Sequence, residues 1–177
     1  MKKLIAIALF LALATVEVSA GAIYFDTEVR YTNVISRFTR IAADVAPEIK
    51  ARLAYNVING YLITGDLNNF SLTGQSVYTI KLMDGFTAEP FAGAGFASSD
   101  NGTAVFGDIG VDLKYKMFLW LVAGADVQIY SDSYIMDYKG GIQIPFLSWL
   151  SLDLLYSAVL TNDKHLTGFG GRINLLF

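Results

Sequence analysis

His165 is the only histidine of the chain, Thr167 follows two residues later, and Asp163 precedes it by two. In an extended segment all three side chains fall on one face. A hydroxyl, an imidazole and a carboxylate are the parts of a nucleophile, its base and the group that orients the base. No glutamate lies downstream to hold the imidazole, so the set is incomplete and the chain reads as a non-enzyme. Metal chemistry has less to work with, because one His and no Cys leave only carboxylates, and these are scattered along the chain. No cofactor is expected: the glycines of "GAGF" (93–96) and "GFGG" (168–171) neither precede a helix nor carry the lysine of a phosphate loop. The sequons at Asn69-Phe70-Ser71 and Asn101-Gly102-Thr103 read as chance loop residues.

What does recur is charge at every second position. In "AIYFDTEVRY" (22–31), Tyr24, Asp26, Glu28 and Arg30 alternate with Ile23, Phe25, Thr27, Val29 and Tyr31. In "RIAADVAPEIKARLAYNV" (40–57), Arg40, Asp44, Lys50, Arg52 and Asn56 take one face and Ile41, Ala43, Val45, Ile49, Ala51, Leu53, Tyr55 and Val57 the other, around a turn at Pro47. Downstream the same polar phase collects Asp108, Asp112, Lys114, Asp126, Asp137, Lys139, Asp153 and Arg172, together with Glu48, Lys81, Glu89 and Lys116. A random phase would scatter these charges over both faces. The chemistry they offer is ion pairing in a confined space, with acids and bases nearly balanced.

Composition says where such a space would lie. Hydrophobic residues make up 54% of the chain and charged ones 16%, with a mean hydropathy of +0.45. Yet no stretch after residue 20 approaches the 18 or so uninterrupted apolar residues of a spanning helix. Lipid-exposed backbone must be hydrogen-bonded, and without a spanning helix only a closed β-barrel achieves that. The expected fold is therefore all-β, a transmembrane antiparallel up-and-down β-barrel with apolar side chains toward lipid and charges toward the lumen. Short turns at Pro47, Asp84-Gly85, Lys116-Met117 and Pro145–Ser148 alternate with polar loops at 98–103, 131–133 and 161–164. They divide the chain into ten strands near 22–32, 37–46, 49–66, 70–83, 86–97, 104–116, 118–130, 134–144, 148–160 and 165–177. Val34, Phe38, Ile41, Val45, Ile49 and Leu53 also recur at helical spacing. An amphipathic helix over 33–53 would leave eight strands, although Pro47 in its middle opposes it.

Residues 1–20, "MKKLIAIALFLALATVEVSA", have two lysines, a short apolar run and small residues at the end. That is the layout of a secretory signal, leaving residues 21–177 as the barrel. Without cysteine, an exported chain must be held by something other than disulfides. The net charge of −3 and the interleaving of bases with acids exclude a nucleic-acid surface.

The terminal strand "RINLLF", with Phe169, Ile173, Leu175 and Phe177 in one phase, resembles the C-terminal strand of bacterial outer-membrane barrels. That resemblance implies that these four residues form the signal read by the barrel assembly machinery. "EPFAGAGFASSD" and "FGDIGVDLKYK" resemble the Gly-rich strands of outer-membrane-protein-A-like and opacity-type barrels. The implied location is the cell outer membrane of a Gram-negative envelope, reached by secretion through the inner membrane. The implied partners are outer-membrane lipid and lipopolysaccharide, around a monomer. Outer-membrane lipid A deacylases are similar in carrying a His-x-Ser pair near the end of the barrel. Here Thr167 replaces the serine, and Gly168-Phe169 stands where Asn-Ala commonly follows.

The expected role is structural or at the surface, or that of a very narrow, porin-like pore whose lumen is largely filled by paired charges. The alternatives are an outer-leaflet lipid-modifying enzyme using His165 and a binding or adhesion barrel using the 60–73 hairpin. Trp120 and Trp149 are expected to fill the lumen near its short-turn end.

Overall fold

The computed structural model describes residues 22–31, 35–58, 70–99, 102–162 and 164–177. The expected signal sequence lies outside the described residues, as do Asp163 and the expected hairpin tip at 67–69. The strands are β1 (Ile23–Tyr31), β2 (Ile35–Ala46), β3 (Ile49–Ile58), β4 (Phe70–Tyr78), β5 (Ile80–Met83), β6 (Phe86–Ser99), β7 (Gly102–Lys116), β8 (Trp120–Ile129), β9 (Tyr134–Leu147), β10 (Leu150–Thr161) and β11 (His165–Leu176).

Apart from β4 and β5, strands consecutive in sequence pair antiparallel, and the β1–β11 and β4–β6 pairings close the sheet. At one seam β1 meets β11, from Tyr24↔Leu176 to Tyr31↔Phe169. Beyond the end of that ladder, Ile23 and Phe177 exchange both backbone hydrogen bonds, at 3.0 and 2.9 Å. At the other seam β4 pairs with β6, from Phe70↔Ser98 to Val77↔Phe91. β4 and β5 are one stave, since Val77↔Phe91 and Ile80↔Ala88 keep a single register. That register sets Tyr78 opposite Pro90, which has no N–H to give, and the ladder lapses there. On its other side the stave stays paired with β3, the Thr79 N–H donating to the Glu48 carbonyl at 2.7 Å in continuation of the Ile49↔Tyr78 register. The result is a closed up-and-down barrel of ten staves. The eight-strand alternative is overturned, and so is the helix over 33–53. β2 and β3 form a hairpin from Ile35 onward, because period-two alternation lets both faces be satisfied while Pro47 breaks any helix, and residues 33 and 34 lie outside the described residues.

Two of the short turns carry a residue in the left-handed region. Gly85 sits at φ +78° between β5 and β6, and Glu48 at φ +65° after Pro47. A side chain with a Cβ is strained there by roughly 1–2 kcal/mol. Glu48 is held in place by the Thr79 N–H on its carbonyl and by the Tyr78 hydroxyl, which donates to Oε2 at 2.8 Å. The pairing register slips by one residue near three of these turns, between Asp44 and Ala46, between Lys81 and Met83, and where Leu150↔Leu147 gives way to Ser151↔Pro145. The last slip corrects the reading of Pro145 as a turn residue. It stays within β9 beside the extra residue Phe146, and the turn is Ser148-Trp149. Bulges are among the few places where a sheet tolerates proline.

Burial runs opposite to that of a water-soluble domain. Asp153 (0% exposed), Glu28 (1%) and Asp108 (2%) are inside, while Val105 (73%) and Phe169 (72%) are outside. An apolar exterior around a polar interior is the pattern of a transmembrane barrel. Aromatic pairs stand on the outer wall near both ends, Tyr156 with Phe169 at 5.2 Å and Phe86 with Tyr115 at 5.7 Å.

Candidate functional site

The bore is crossed at mid-height by a girdle of ion pairs whose hub is Asp112 on β7. Arg52 Nη1 on β3 lies 2.8 Å from Asp112 Oδ2, and Lys139 Nζ on β9 lies 3.2 Å from Oδ1. Arg40 Nη1 on β2 approaches Oδ2 at 4.0 Å while its Nε donates to Asp26 at 2.9 Å. One carboxylate thus gathers cations from three other staves, and none of them is an adjacent strand. Strand alternation aims each of these side chains inward, but only closure of the sheet brings them together.

Lys139 reaches Asp112 across β8 because the residue between them is Gly124, opposite Asp112 in one ladder and Lys139 in the next. A Cβ there would lie 2.6 Å from both Asp112 Oδ1 and Lys139 Cε. A second bridge spans the bore just above the hub. Arg30 on β1 donates to Asp137 Oδ2 on β9 at 2.5 Å and, by Nη2, to Glu28 at 2.8 Å, with its guanidinium 4.6 Å from the Phe38 ring. Arg52 also donates to Gln75 at 2.5 Å, and Gln75 in turn donates to Asp108. Such fully partnered charges are the form in which a low-dielectric interior tolerates ions.

The girdle separates two cavities. One, of about 330 Å³, lies toward the short turns and is lined by Tyr24, Lys50, Glu89, Lys114, Trp120 and Arg172 among others. The other, of about 450 Å³, lies toward the loops and is lined by Asn56, Phe91, Asp108, Asp126, Tyr130 and Asp137 among others. Arg40 and Arg52 border both.

Most of the lumen charges read from the sequence take part in this network. Lys50 pairs with Glu89 at 2.5 Å, Arg172 with Asp153 at 2.5 Å, and Asp44 accepts a 3.5 Å hydrogen bond from Tyr24. Gln143 and Asn174 also donate to Asp153, each at 2.9 Å. Lys114, Asp108 and Asp126 depart from the expected pairing: among the described residues none of them forms an ion pair, although all three line cavities. Lys81 shares the inward phase but is exposed at the turn-side rim. Trp120 and Trp149 both line the turn-side cavity, Trp149 from a turn at the rim where it is 48% exposed.

His165 and Thr167 are exposed at the start of β11, and the imidazole has no hydrogen bond or ion pair among the described residues. Phe169, Ile173 and Phe177 stand exposed on the outer wall, with Leu175 half-buried in the same phase. Of the 60–73 hairpin, residues 70–73 belong to β4 in the wall and 60–69 lie outside the described residues. What the sequence could not reveal is which staves the cations bridge.

No protein family and no curated protein sequence matches the chain. Solved structures do. The KdgM porin is similar at 7% identity with a TM-score of 0.50, covering 86% of this chain and 98% of that one. The N-terminal β-barrel domain of Pseudomonas aeruginosa OprF is 12% identical, with a TM-score of 0.41 over 89% of this chain and 99% of that one. A structure from the de novo design of transmembrane β-barrels is 16% identical, with a TM-score of 0.44 over 89% and 96%. These likenesses are of fold, and they do not single out the outer-membrane-protein-A-like and opacity-type barrels that the Gly-rich strands resemble. The chain is a ten-stranded barrel of the transmembrane class.

Proposed function

We propose that this protein is a monomeric integral barrel of the cell outer membrane with a structural or surface role, its bore closed at mid-height by the Asp112 girdle. The supporting observation is that a single carboxylate holds Arg40, Arg52 and Lys139 from three staves, with cavities above and below rather than one channel. Opening a path would require at least one of these buried pairs to part, and separating a buried pair is costly. A barrel of about ten staves has an interior little wider than its side chains, while a wide aqueous channel needs about sixteen. Secretion through the inner membrane and insertion by the barrel assembly machinery follow from the expected leader and the Phe177-terminated strand. Lipid and lipopolysaccharide are then its surroundings.

Purified protein reconstituted into liposomes should leave them impermeable to small sugars in an osmotic swelling assay. Swelling at rates typical of a general porin would refute the closed bore. Because the sequence places no glutamate downstream of His165 to orient the imidazole, lipid A from cells with and without the protein should give the same mass spectrum, and a deacylated species dependent on His165 would refute this.

A further inference from the structure

The loop-side cavity is lined by residues with unmet buried acceptors. Buried side-chain polar atoms without a hydrogen-bond partner among the described residues are Asn56 Oδ1, Asp108 Oδ1, Asp137 Oδ1 and Ser157 Oγ. Asn56, Asp108 and Asp137 line the cavity of about 450 Å³. Asp108 is 2% exposed, and its unpartnered oxygen is buried. An unpartnered buried acceptor costs about 1–3 kcal/mol, and more when charged. The cations nearby do not relieve it. Arg30 is committed to Glu28 and Asp137 Oδ2, and Arg40, Arg52 and Lys139 are directed to the Asp112 hub. Asp126 stands directly opposite Asp137 in the β8–β9 ladder and has no ion pair among the described residues. The rest of the wall includes the inward rings of Phe38, Phe91 and Tyr130, apolar surfaces suited to the carbon skeleton of a cation, with Arg30 already over Phe38 and Arg52 over Phe91.

We propose that this cavity binds a small organic cation rich in N–H donors, a primary ammonium or guanidinium, held by Asp108 and Asp126 with the Asn56 carbonyl as a third acceptor. The volume is within the range of small-molecule sites. Donor-bearing cations fit because the buried unmet atoms of Asn56, Asp108 and Asp137 are all oxygen acceptors. Neutral or anionic ligands would leave the carboxylates uncompensated. The inference goes beyond the closed bore and is independent of it, since a site on the loop side of the girdle fills whether or not the girdle opens.

The test is isothermal titration of the full folded chain, in zwitterionic detergent at low ionic strength, with agmatine, which carries a guanidinium and an ammonium. Saturable binding of one agmatine per barrel is expected, with tetramethylammonium, which has no N–H, failing to compete. Asp126→Asn should weaken agmatine by at least about tenfold. That variant breaks no hydrogen bond or ion pair of the described structure, so it should keep heat-modifiable migration on an unboiled gel. Asp108→Asn should weaken it comparably, while Asp84→Asn, at a short turn on the opposite rim, should leave it unchanged. Absence of saturable binding, equal binding of tetramethylammonium, or the same loss in Asp84→Asn as in Asp126→Asn would each overturn the proposal.

Discussion

Lys139 reaches Asp112 over Gly124, Nζ to Oδ1 at 3.2 Å, so that a lysine and an aspartate two staves apart pair above a residue with no side chain. The contact spans two ladders and links three staves. Asp112 accepts Arg52 at the same time, and Arg40 stands within reach.

Removing the hub should therefore cost more than one contact. Asp112→Asn leaves three cations facing one another in a confined interior, and breaking a buried pair costs about 3 kcal/mol or more. The variant should lose its compact, fast-migrating form on unboiled gels at a clearly lower temperature than the wild type. An unchanged transition would show that the hub contributes nothing to holding the barrel.

Gly124→Ala tests the bridge by geometry alone, without altering charge. Its Cβ would sit 2.6 Å from Asp112 Oδ1, forcing the pair apart. Overpacking of this kind costs about 1–3 kcal/mol. At Gly74, on the outer wall, an added Cβ meets nothing within 4 Å. Thermal unfolding of the two alanine variants should thus differ, with Gly74→Ala close to wild type and Gly124→Ala lowered.

Much of this was legible in the sequence, because in a barrel the side-chain period is two and every stave shows it. The charges of β1, β3, β7 and β9 were assigned to the correct face from alternation alone. Pro145 misled because proline marks turns more often than bulges, and a bulge is visible only once the partner strand is known. The helical spacing of Val34 to Leu53 was a coincidence that pairing with β1 and β4 overrode. Which charges would meet was not legible at all: Asp112 and Arg52 are 60 residues apart, and Arg30 and Asp137 are 107 apart. Balance between acids and bases suggested complete pairing, yet Asp108, Asp126 and Lys114 are left to line the cavities.

Phe177 closes the β1–β11 seam through its backbone while its ring stands 72% exposed on the outer wall. Changing Phe177→Asp leaves the backbone bonds available and removes only the exposed ring. If assembly reads that ring, outer-membrane levels should fall several-fold while protein refolded from denaturant into detergent still gives the fast-migrating form. Equal membrane levels for variant and wild type would end the assembly-signal reading.

Residues 59–69 connect the loop-side ends of β3 and β4, opposite the rim that carries the short turns. An epitope tag inserted after Asn68 should be detected by antibody on intact cells. Detection only after permeabilisation would reverse the orientation of the barrel.

The closed bore is the central claim, and single-channel recording in planar bilayers tests it most directly. Purified wild-type protein should give no conductance or small, brief steps with weak ion selectivity, since acids and bases balance in the girdle. Asp112→Asn should change the size or frequency of those steps. Stable, large openings from the wild type, unaltered by Asp112→Asn and permeable to sugars, would show that the girdle does not occlude the bore and would contradict the account.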